Sequence, residues 1–444
     1  MSGQVGMDVD EAEARRAGEG RWRAGLRAVA INRAFGLFSL GALPSAMAGW
    51  MQNVALGWIV TSGPNPAFGL GLLSFTSMGP LVLAPLGGTL ADRVDRRLLL
   101  MGCACAQLAA ALVLAVLALA GQLSMALVLA LALANGLPNA VMWPTWSAFV
   151  ADLVPARELR RAVAVNSGRF NLTRVLGPAV AGALLARSGP ALCLATAAIC
   201  SSSLLVTLLF VRPRYTRPRP PAAPWLGALA EAARHAVVTP ALRAPMLSAG
   251  TLGLLALPYA ALLPGFVRGA LHGNPQDLGL LVTAGGAGAV VGAVLSGTSL
   301  AAGRPRQVAA ALHLLTGLSV ATLGLSPTIG WACLAAALIG LASVAYLSVV
   351  NATLQINTPP AMIGRMLGLW VVVNSGTVPL GSLLLGSLAS RYGLPAVETA
   401  AGLLSALGAL FLILGRAAEA TEEPALAPLE RTATSAAPRH STTR

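Results

Sequence analysis

The chain has 444 residues, of which 56% are apolar and 10% are charged, and its mean hydropathy is +0.73. A soluble chain of this length needs far more charge to cover its surface, so the composition indicates a polytopic membrane protein. The net charge of +14 comes from arginines scattered through short loops, which disfavours nucleic-acid binding. The five cysteines lie in apolar runs without metal-ligand spacing, so no metal or other cofactor is expected.

Residues 1–28 are polar and are expected to form a cytoplasmic tail, since they lack the short apolar core of a signal peptide. Twelve apolar runs follow, each long enough for a helix to cross a hydrocarbon layer of ~30 Å. They are too long and too rich in Leu and Ala for barrel strands, so we predict an all-α membrane protein with twelve transmembrane helices. The runs lie at about 34–61, 67–90, 98–120, 123–151, 160–186, 190–211, 244–267, 278–301, 307–326, 329–356, 365–389 and 393–415.

The arginines are divided unequally between the two sides of such a membrane protein. If the N-terminus is inside, the inside segments hold 25 of the 30 arginines and the outside loops hold only three. Loops on the cytoplasmic side of membrane proteins carry the excess of positive charge. The sequence therefore predicts that both termini are cytoplasmic, in the inner membrane of a bacterium.

The two halves of the chain resemble each other. Val165-Asn166-Ser167-Gly168 in the fifth run recurs as Val373-Asn374-Ser375-Gly376 in the eleventh. Two copies of a six-helix unit are typical of transporters whose substrate site lies between the copies, near the middle of the membrane. We therefore expect two pseudo-symmetric six-helix bundles. The predicted divisions are the tail 1–28, the bundle 29–211, a Pro- and Arg-rich cytoplasmic loop 212–243, the bundle 244–415 and a disordered cytoplasmic tail 416–444.

A charged interruption separates the second and third runs. Its sequence, Gly88-Thr89-Leu90-Ala91-Asp92-Arg93-Val94-Asp95-Arg96-Arg97, resembles the loop 2–3 motif of the major facilitator superfamily, with Asp95 in place of the second glycine. That change is common in drug:proton antiporter family 3, the branch of enterobactin-exporter-like and macrolide-efflux-like proteins. Gly49–Leu56, Asn166–Pro178 and Leu257–Pro264 resemble helices 1, 5 and 7 of the same branch, and the resemblance covers about 34–415.

By this resemblance, the interruption forms a cytoplasmic latch that stabilises the outward-facing state of a transporter. Its carboxylate can pair with arginines or with the N-terminal dipole of a neighbouring helix. The alternative is a solvated loop that only sets the topology. The second-half counterpart, Gly297–Arg306, has no acid, so any latch there is expected to be weaker. The predicted latch consists of Gly88, Asp92, Arg93, Arg96 and Arg97.

The fifth run carries a glycine and proline pattern. Gly168, Gly177, Pro178 and Gly182 resemble the antiporter motif of exporting members, although Thr173 replaces one glycine and the closing glycine is displaced by one. A proline in mid-helix permits a bend, and glycines permit close packing against a neighbour. The pattern favours an exporter, with ordinary small-residue packing as the alternative.

Two arginines lie inside the fifth run. At 1.5 Å per residue, Arg169 and Arg174 lie about 12 and 20 Å into the membrane, and no acid lies as deep. Such charges must face protein or water. Either one of them faces a cavity and favours an anionic or carbonyl-rich substrate, or both are satisfied by carbonyls and Asn side chains as a structural hub. Arg174 matches the family pattern and is the expected hub, whereas Arg169 is the expected ligand contact.

Other polar and aromatic residues recur on single helical faces and can line a central cavity. The alternative is hydrogen bonding between helices, with Trp at the membrane interfaces. The cavity candidates besides the two arginines are Gln52, Asn53, Asn139, Trp143, Trp146, Asn166, Asn171, Tyr259, Asn351, Gln355 and Asn374.

The chain has no nucleotide-binding motif and no His, Asp or Cys cluster typical of a membrane enzyme. We therefore predict a secondary active exporter of drug-, macrolide- or siderophore-like small molecules that works by alternating access. The resemblance implies proton antiport, although no acid lies at the predicted midplane. The alternative is an importer or facilitator of the same fold for a small anionic solute. The expected partners are the lipid bilayer, the substrate and protons, with the chain acting as a monomer.

Overall fold

The computed structural model describes residues 32–215, 225–296 and 304–413. Every regular element in these three stretches is a helix. A helix satisfies its own backbone N–H and C=O groups within one segment, as a hydrocarbon environment requires. The predicted tails 1–28 and 416–444 lie outside the described residues.

Eleven of the described helices are long and apolar enough to cross a membrane. One of them, Ala156–Phe210, has 55 residues and therefore has room for two crossings. Counted as two, it brings the total to the twelve that the apolar runs predict. In chain order the helices are α1 Arg33–Val60, α2 Pro66–Arg93, α3 Arg96–Leu119, α4 Met125–Leu153, α5 159–188, α6 190–210, α7 Pro240–Gly269, α8 Pro275–Ser296, α9 Pro305–Gly324, α10 Ile329–Ile356, α11 Ile363–Tyr392 and α12 Leu394–Ile413.

The turn between α5 and α6 is made at Gly189, whose φ of 75° and ψ of 178° are not helical. Glycine adopts this positive φ without the steric penalty that a side chain brings. On either side of the turn, Arg169 of α5 and Ser203 of α6 donate to the adjacent carbonyl groups of Ala42 and Gly41 on α1. Because both arms meet the same turn of α1, they run antiparallel.

The chain enters α1 at one end of the helix assembly and returns to that end after every second helix. We call it the terminus end, and the opposite end the far end. The two halves, α1–α6 and α7–α12, are connected at the terminus end, where the helix Trp225–Val238 precedes α7. Glu231 of this connecting helix forms an ion pair with Arg365 at the start of α11. The domain boundaries at 211/212 and 243/244 stay predictions.

Helices inside the second half pack through glycines whose backbones nearly touch a neighbour. A Cβ added at Gly288 of α8 would lie 1.9 Å from the carbonyl oxygen of Ala337 on α10. A Cβ added at Gly340 of α10 would lie 2.0 Å from the carbonyl oxygen of Gly285 on α8. This approach increases the van der Waals contact that holds membrane helices together. The α8–α10 pair therefore has little room to change its packing.

The two halves meet along the pairs α5–α8 and α2–α11. Gly182 of α5 faces Gly279 of α8 so closely that a Cβ added at Gly182 would lie 2.8 Å from the Cα of Gly279. In the other pair, Ser74 of α2 donates to the hydroxyl of Ser382 on α11 at 3.0 Å. All four residues lie in the part of their helix that is nearer the far end. These contacts close the far end of the interface between the halves.

Two helices at this interface are irregular near their middles. α7 contains the π-helical turn Leu252–Ala256 shortly before Pro258, and α2 contains the 3₁₀ turn Gly79–Leu83. A proline removes a backbone donor, and a change of helix type alters the direction of the chain. In each helix, the segments before and after the irregular turn therefore need not share one straight axis.

Candidate functional site

Arg96 is the centre of the charged interruption between α2 and α3. Its Nη1 donates to both carboxylate oxygens of Asp152 on α4, at 3.0 and 2.9 Å, and its Nη2 lies 3.4 Å from the Asp92 carboxylate. The Arg96 and Asp152 side chains are only 11% and 9% exposed. Loss of either partner would leave a shielded charge unpaired, which is costly. Asp92, Arg96 and Asp152 thus join the terminus ends of α2, α3 and α4.

Asp95 and Arg97 complete the turn between α2 and α3. Asp95, which stands where the superfamily motif has glycine, accepts hydrogen bonds from the N–H groups of Arg97 and Leu98 and so caps α3. Arg97 donates to the carbonyl oxygens of Leu208 and Leu209 at the end of α6, at 2.8 and 3.0 Å. Every one of these partners belongs to the first half.

In this conformation the hydrogen bonds of the predicted latch hold the first half together and do not reach the second. Arg93 forms no side-chain hydrogen bond or ion pair with the part of the chain that the structure describes. Gly88 lies beside α4, where an added Cβ would be 3.9 Å from Pro144. Most of the counterpart 297–306 lies outside the described residues. A latch between the halves therefore stays a prediction and requires a different arrangement of the terminus end.

Arg169 of α5 is the centre of a cluster in the first half. Its guanidinium donates to the carbonyl oxygen of Ala42 on α1 at 2.8 Å and to Oδ1 of Asn166 at 2.9 Å. The Trp146 indole of α4 donates to the same Asn166 oxygen at 3.0 Å, and Cζ of Arg169 lies 4.7 Å from the Trp146 ring centroid. A carbonyl, an amide and an aromatic face thus stabilise this charge without an acid.

Arg174 lies five residues further along α5 and has different surroundings. Its half-buried side chain forms no hydrogen bond or ion pair with any residue in the described stretches. Its backbone carbonyl packs against Gly286 of α8. The hydrogen bonds thus place the structural hub at Arg169, where the sequence favoured Arg174. Ligand contact by either arginine stays a prediction.

Replacing Arg169 with Gln is expected to lower the free energy of unfolding by about 2 kcal/mol, because two charge-assisted hydrogen bonds and a ring contact are lost. Thermal unfolding of the purified chain in detergent measures this loss. Arg174→Gln is the matched control, since it removes the same charge from the same helix without breaking a hydrogen bond. Equal loss of stability in the two variants would contradict the assignment of the hub to Arg169.

Aromatic rings form a second group beside these arginines. Phe170 of α5 stands between Trp50 of α1 and Trp143 of α4, with ring centroids 6.4 and 5.8 Å apart. Trp143 is 53% exposed, so part of the group is available to stack on a ligand. Trp146 differs, because its ring is already covered by Arg169.

The polar candidates of the first half fall into two kinds. Gln52 is 9% exposed and accepts a hydrogen bond of 3.4 Å from Asn135, which links α1 to α4. Asn53 is exposed, and Asn53, Asn139 and Asn171 form no side-chain hydrogen bond with the described residues. The first kind fits a role in helix packing, and the second leaves amide groups for a ligand.

The candidates of the second half divide in the same way. Gln355 donates to Asn351 on the next turn of α10 at 2.6 Å, so the two amides satisfy each other in part. On α11, Oδ1 of Asn374 is buried and has no partner in the described part of the chain. Tyr259, 9% exposed, begins the regular far half of α7, directly after Pro258. Asn374 and Tyr259 are therefore the second-half candidates at irregular or unsatisfied positions.

The residues of the glycine and proline pattern in α5 contact more than one neighbouring helix. A Cβ at Gly168 would meet no atom within 4 Å, whereas one at Gly177 would lie 2.6 Å from the Trp50 side chain. The carbonyl oxygen of Pro178 lies 3.0 Å from the Cβ position of Gly279, the same residue that faces Gly182. Three of the four pattern residues thus pack against α1 or α8.

Glu398 of α12 is a functional candidate that is not among the residues predicted from the sequence. Its side chain is 1% exposed, and its Oε2 has no hydrogen-bond partner within the described ranges. Buried carboxyl groups in membrane proteins are rare and mark ion or proton pathways. The signal that reveals it is an acid inside an apolar run, which occurs in α7–α12 only here and at Asp277 near the start of α8.

A buried polar network in the second half was also not predicted from the sequence. The Ser248 hydroxyl on α7 lies 2.7 Å from Nδ1 of His313 on α9 and accepts a hydrogen bond of 2.8 Å from Tyr346 on α10. Nε2 of His313 lies 3.3 Å from Ser405 on α12. Each residue comes from a different helix, so no spacing along the chain signals the network. It connects four helices of the second half.

Comparison with known proteins covers nearly the whole of this arrangement. Residues 28–437 match the family described as transmembrane secretion effector. Enterobactin exporter EntS of Shigella flexneri is 29% identical over 398 residues, which cover 87% of this chain and 91% of that protein. The protein of the same name from Citrobacter koseri is 28% identical over 394 residues, with the same coverage. The similarity thus includes both halves.

Solved structures of transporters share the fold. A POT family transporter in complex with 5-aminolevulinic acid matches with a TM-score of 0.70, covering 86% of this chain and 96% of that one at 13% identity. A bacterial homolog of the human lysosomal transporter Spinster matches with a TM-score of 0.64, covering 86% and 97% at 14% identity. At these identities the likeness concerns the fold alone, and it confirms the predicted major facilitator architecture.

Proposed function

Because the chain belongs to the transmembrane secretion effector family, we propose that it exports small organic molecules by secondary active transport. It is a multi-pass membrane transporter of the major facilitator fold and not an enzyme. The observation that carries the export direction is the similarity to enterobactin exporters over 87% of the chain. The proposed substrates are drug-, macrolide- or siderophore-like molecules.

The proposed transport mechanism is alternating access between the two halves. It is supported by the uneven interface, in which Gly182–Gly279 and Ser74–Ser382 close the far end. Among the described residues, the predicted latch at the terminus end is meanwhile bonded only within the first half. The opposite state would separate the far end and bring the latch against the second half. A substrate would then bind from the terminus end and leave at the far end.

The proposed substrate site lies between the halves, on the faces of α1, α4, α5 and α11. Arg174 contributes a charge whose donors are not used by the described residues, and it favours an anionic or carbonyl-rich ligand. Trp50, Phe170 and Trp143 contribute aromatic surface. Asn374 contributes an amide oxygen without a partner. A mainly apolar site with few polar groups suits chemically varied organic substrates.

The proposed energy source is a proton gradient, with Glu398 as the residue that binds the proton. A coupling residue must hold a proton in one conformation and release it in another. Glu398 is enclosed, and its Oε2 has no partner among the described residues.

The proposed location is the inner membrane of a bacterium, with the terminus end in the cytoplasm. The arginine distribution supports this orientation, since 25 of 30 arginines fall in segments at that end. One large core cluster contains buried residues of both halves, and the twelve helices of one chain form both sides of the interface. We therefore propose the monomer as the transporting unit.

Transport into inside-out membrane vesicles tests the proposal. Vesicles that contain the chain are expected to accumulate enterobactin or a macrolide when their interior is acidic, and an uncoupler is expected to abolish the accumulation. Arg174→Gln is expected to slow uptake of an anionic substrate by about tenfold or more at unchanged protein level. The control is Arg391→Gln, which removes an exposed arginine at the far end of α11.

The results separate the proposal from its alternatives. Accumulation that resists the uncoupler would rule out proton coupling and leave export standing. Net uptake of a small anionic solute into right-side-out vesicles, without any export, would establish an importer or facilitator.

A further inference from the structure

A basic pocket lies at the terminus end of the first half, away from the interface between the halves. Its volume is about 220 Å³. The wall is formed by the start of α1, the turn between α4 and α5, the first turns of α5 and the segment that follows α6. Four arginines line it, namely Arg33, Arg157, Arg161 and Arg214.

Among the described residues, the positive charge in this pocket is only partly balanced. The one acid among the described lining residues is Glu158, which lies 3.4 Å from Arg161. The nearby carboxylate of Asp152 is already bonded to Arg96. Arg33, Arg157 and Arg214 form no ion pair in the part of the chain that the structure describes. Several guanidinium groups around one small cavity repel each other, and an anion between them would relieve that repulsion.

The backbone holds the pocket in shape. The N–H groups of Arg214 and Tyr215 both donate to the carbonyl oxygen of Asp152, at 3.2 and 3.0 Å, which fixes the segment after α6 against the end of α4. The Asn32 side chain caps α1 and also donates to the carbonyl oxygen of Leu153. These contacts hold the walls of the pocket in place. Binding a ligand there would therefore not cost the entropy of ordering them.

The inner wall of the pocket is apolar. Phe35 and Val154 line it and are each only 3% exposed, and Val165 of α5 joins them. A group of arginines next to an apolar surface, at the ends of transmembrane helices, matches a lipid that has a charged head and an apolar body. A soluble inorganic anion would use only the arginines.

We propose that this pocket binds the phosphate of an anionic phospholipid at the terminus end of the membrane. Arg157 and Arg214 donate to the phosphate oxygens, for which the planar guanidinium fork has matching geometry. Val165, together with the small exposed parts of Phe35 and Val154, contacts the glycerol and the first carbons of the acyl chains. The site is independent of the transported substrate and of the coupling ion. The simpler role of the same arginines is to set topology alone.

Thermal unfolding of the purified full chain in detergent tests the site, because a ligand that binds the folded state raises Tm. Phosphatidylglycerol is expected to raise Tm in a saturable manner, whereas phosphatidylcholine at equal concentration is not. Arg157→Gln with Arg214→Gln is expected to raise the half-saturating lipid concentration by about tenfold. The matched control is Arg160→Gln with Arg243→Gln, which removes two exposed arginines from the same end but outside the pocket.

The remaining outcomes overturn the proposal. If inorganic phosphate alone reproduces the full rise in Tm, the ligand is a soluble anion and the lipid assignment is wrong. If the control pair weakens the lipid effect as much as the pocket pair, the arginines act only through their total charge. If the two lipids change Tm equally, the pocket does not select an anionic phospholipid and the proposal is wrong.

Discussion

Glu398→Gln is expected to abolish proton-driven efflux while the amount of folded protein stays unchanged. Gln has nearly the same size and fills the same enclosed space, but it cannot bind and release a proton. The carboxyl group is 1% exposed and leaves Oε2 without a partner among the described residues, so the amide introduces no lost hydrogen bond there. We therefore expect the loss to be one of coupling and not of folding.

Two measurements on the same vesicles define this effect. Accumulation of substrate against its gradient is expected to fall by about tenfold or more, while exchange of labelled for unlabelled substrate at equal concentration persists. Asp277→Asn is the control, because it removes the other acid of the second-half helices, and its side chain still accepts from the N–H of Asn274. Normal proton-driven accumulation by Glu398→Gln would show that the proton is carried elsewhere.

Gly182→Val is expected to prevent closure of the far end and to reduce efflux by about tenfold or more. Its first side-chain carbon would lie 2.8 Å from the Cα of Gly279 and 3.0 Å from the carbonyl oxygen of Pro275. Both are backbone atoms of α8, which cannot turn aside as a flexible side chain can. Separation of α5 from α8 removes this clash. The substitution therefore favours the state in which the far end is open.

Spin labels at positions 187 and 276, in a chain whose five native cysteines are replaced by Ser, measure the separation directly. Arg187 and Gln276 are exposed at the far ends of α5 and α8. We expect the distance between the labels to increase in Gly182→Val. Gly102→Val is the control, because a Cβ at this exposed position on α3 would meet nothing within 4 Å. An unchanged distance together with normal efflux would mean that the α5–α8 contact is not a moving part.

Much of the fold was predictable because a membrane leaves few options. Apolar runs of the right length, separated by arginine-bearing turns, specify crossings, and the predicted break between 186 and 190 contains the actual turn at Gly189. The repeat of Val165–Gly168 at 373–376 anticipated two halves. These signals are local or periodic, so they do not depend on knowing which helices touch.

The site was less predictable because its chemistry depends on contacts between helices. Arg169 and Arg174 are five residues apart on one helix, and nothing in their spacing says that only the first meets the carbonyl of Ala42 and the indole of Trp146. The Ser248–His313 bond joins residues 65 apart in the chain. Motif resemblance singled out candidate segments, but the partners of each side chain had to come from the packing.

The glycine contact between α5 and α8 has a consequence for ion leakage. Where Gly182 meets Gly279, the barrier consists of backbone against backbone, without polar side chains at the point of contact. Water needs two to four polar partners to occupy a narrow space, and a file of such waters is what conducts protons. The polar atoms that lie there are backbone carbonyl oxygens, including those of Pro178 and Pro275, and the helices approach too closely to admit a file of water. The membrane potential can then remain intact across the closed transporter, and an energised cell loses no gradient through it between turnovers.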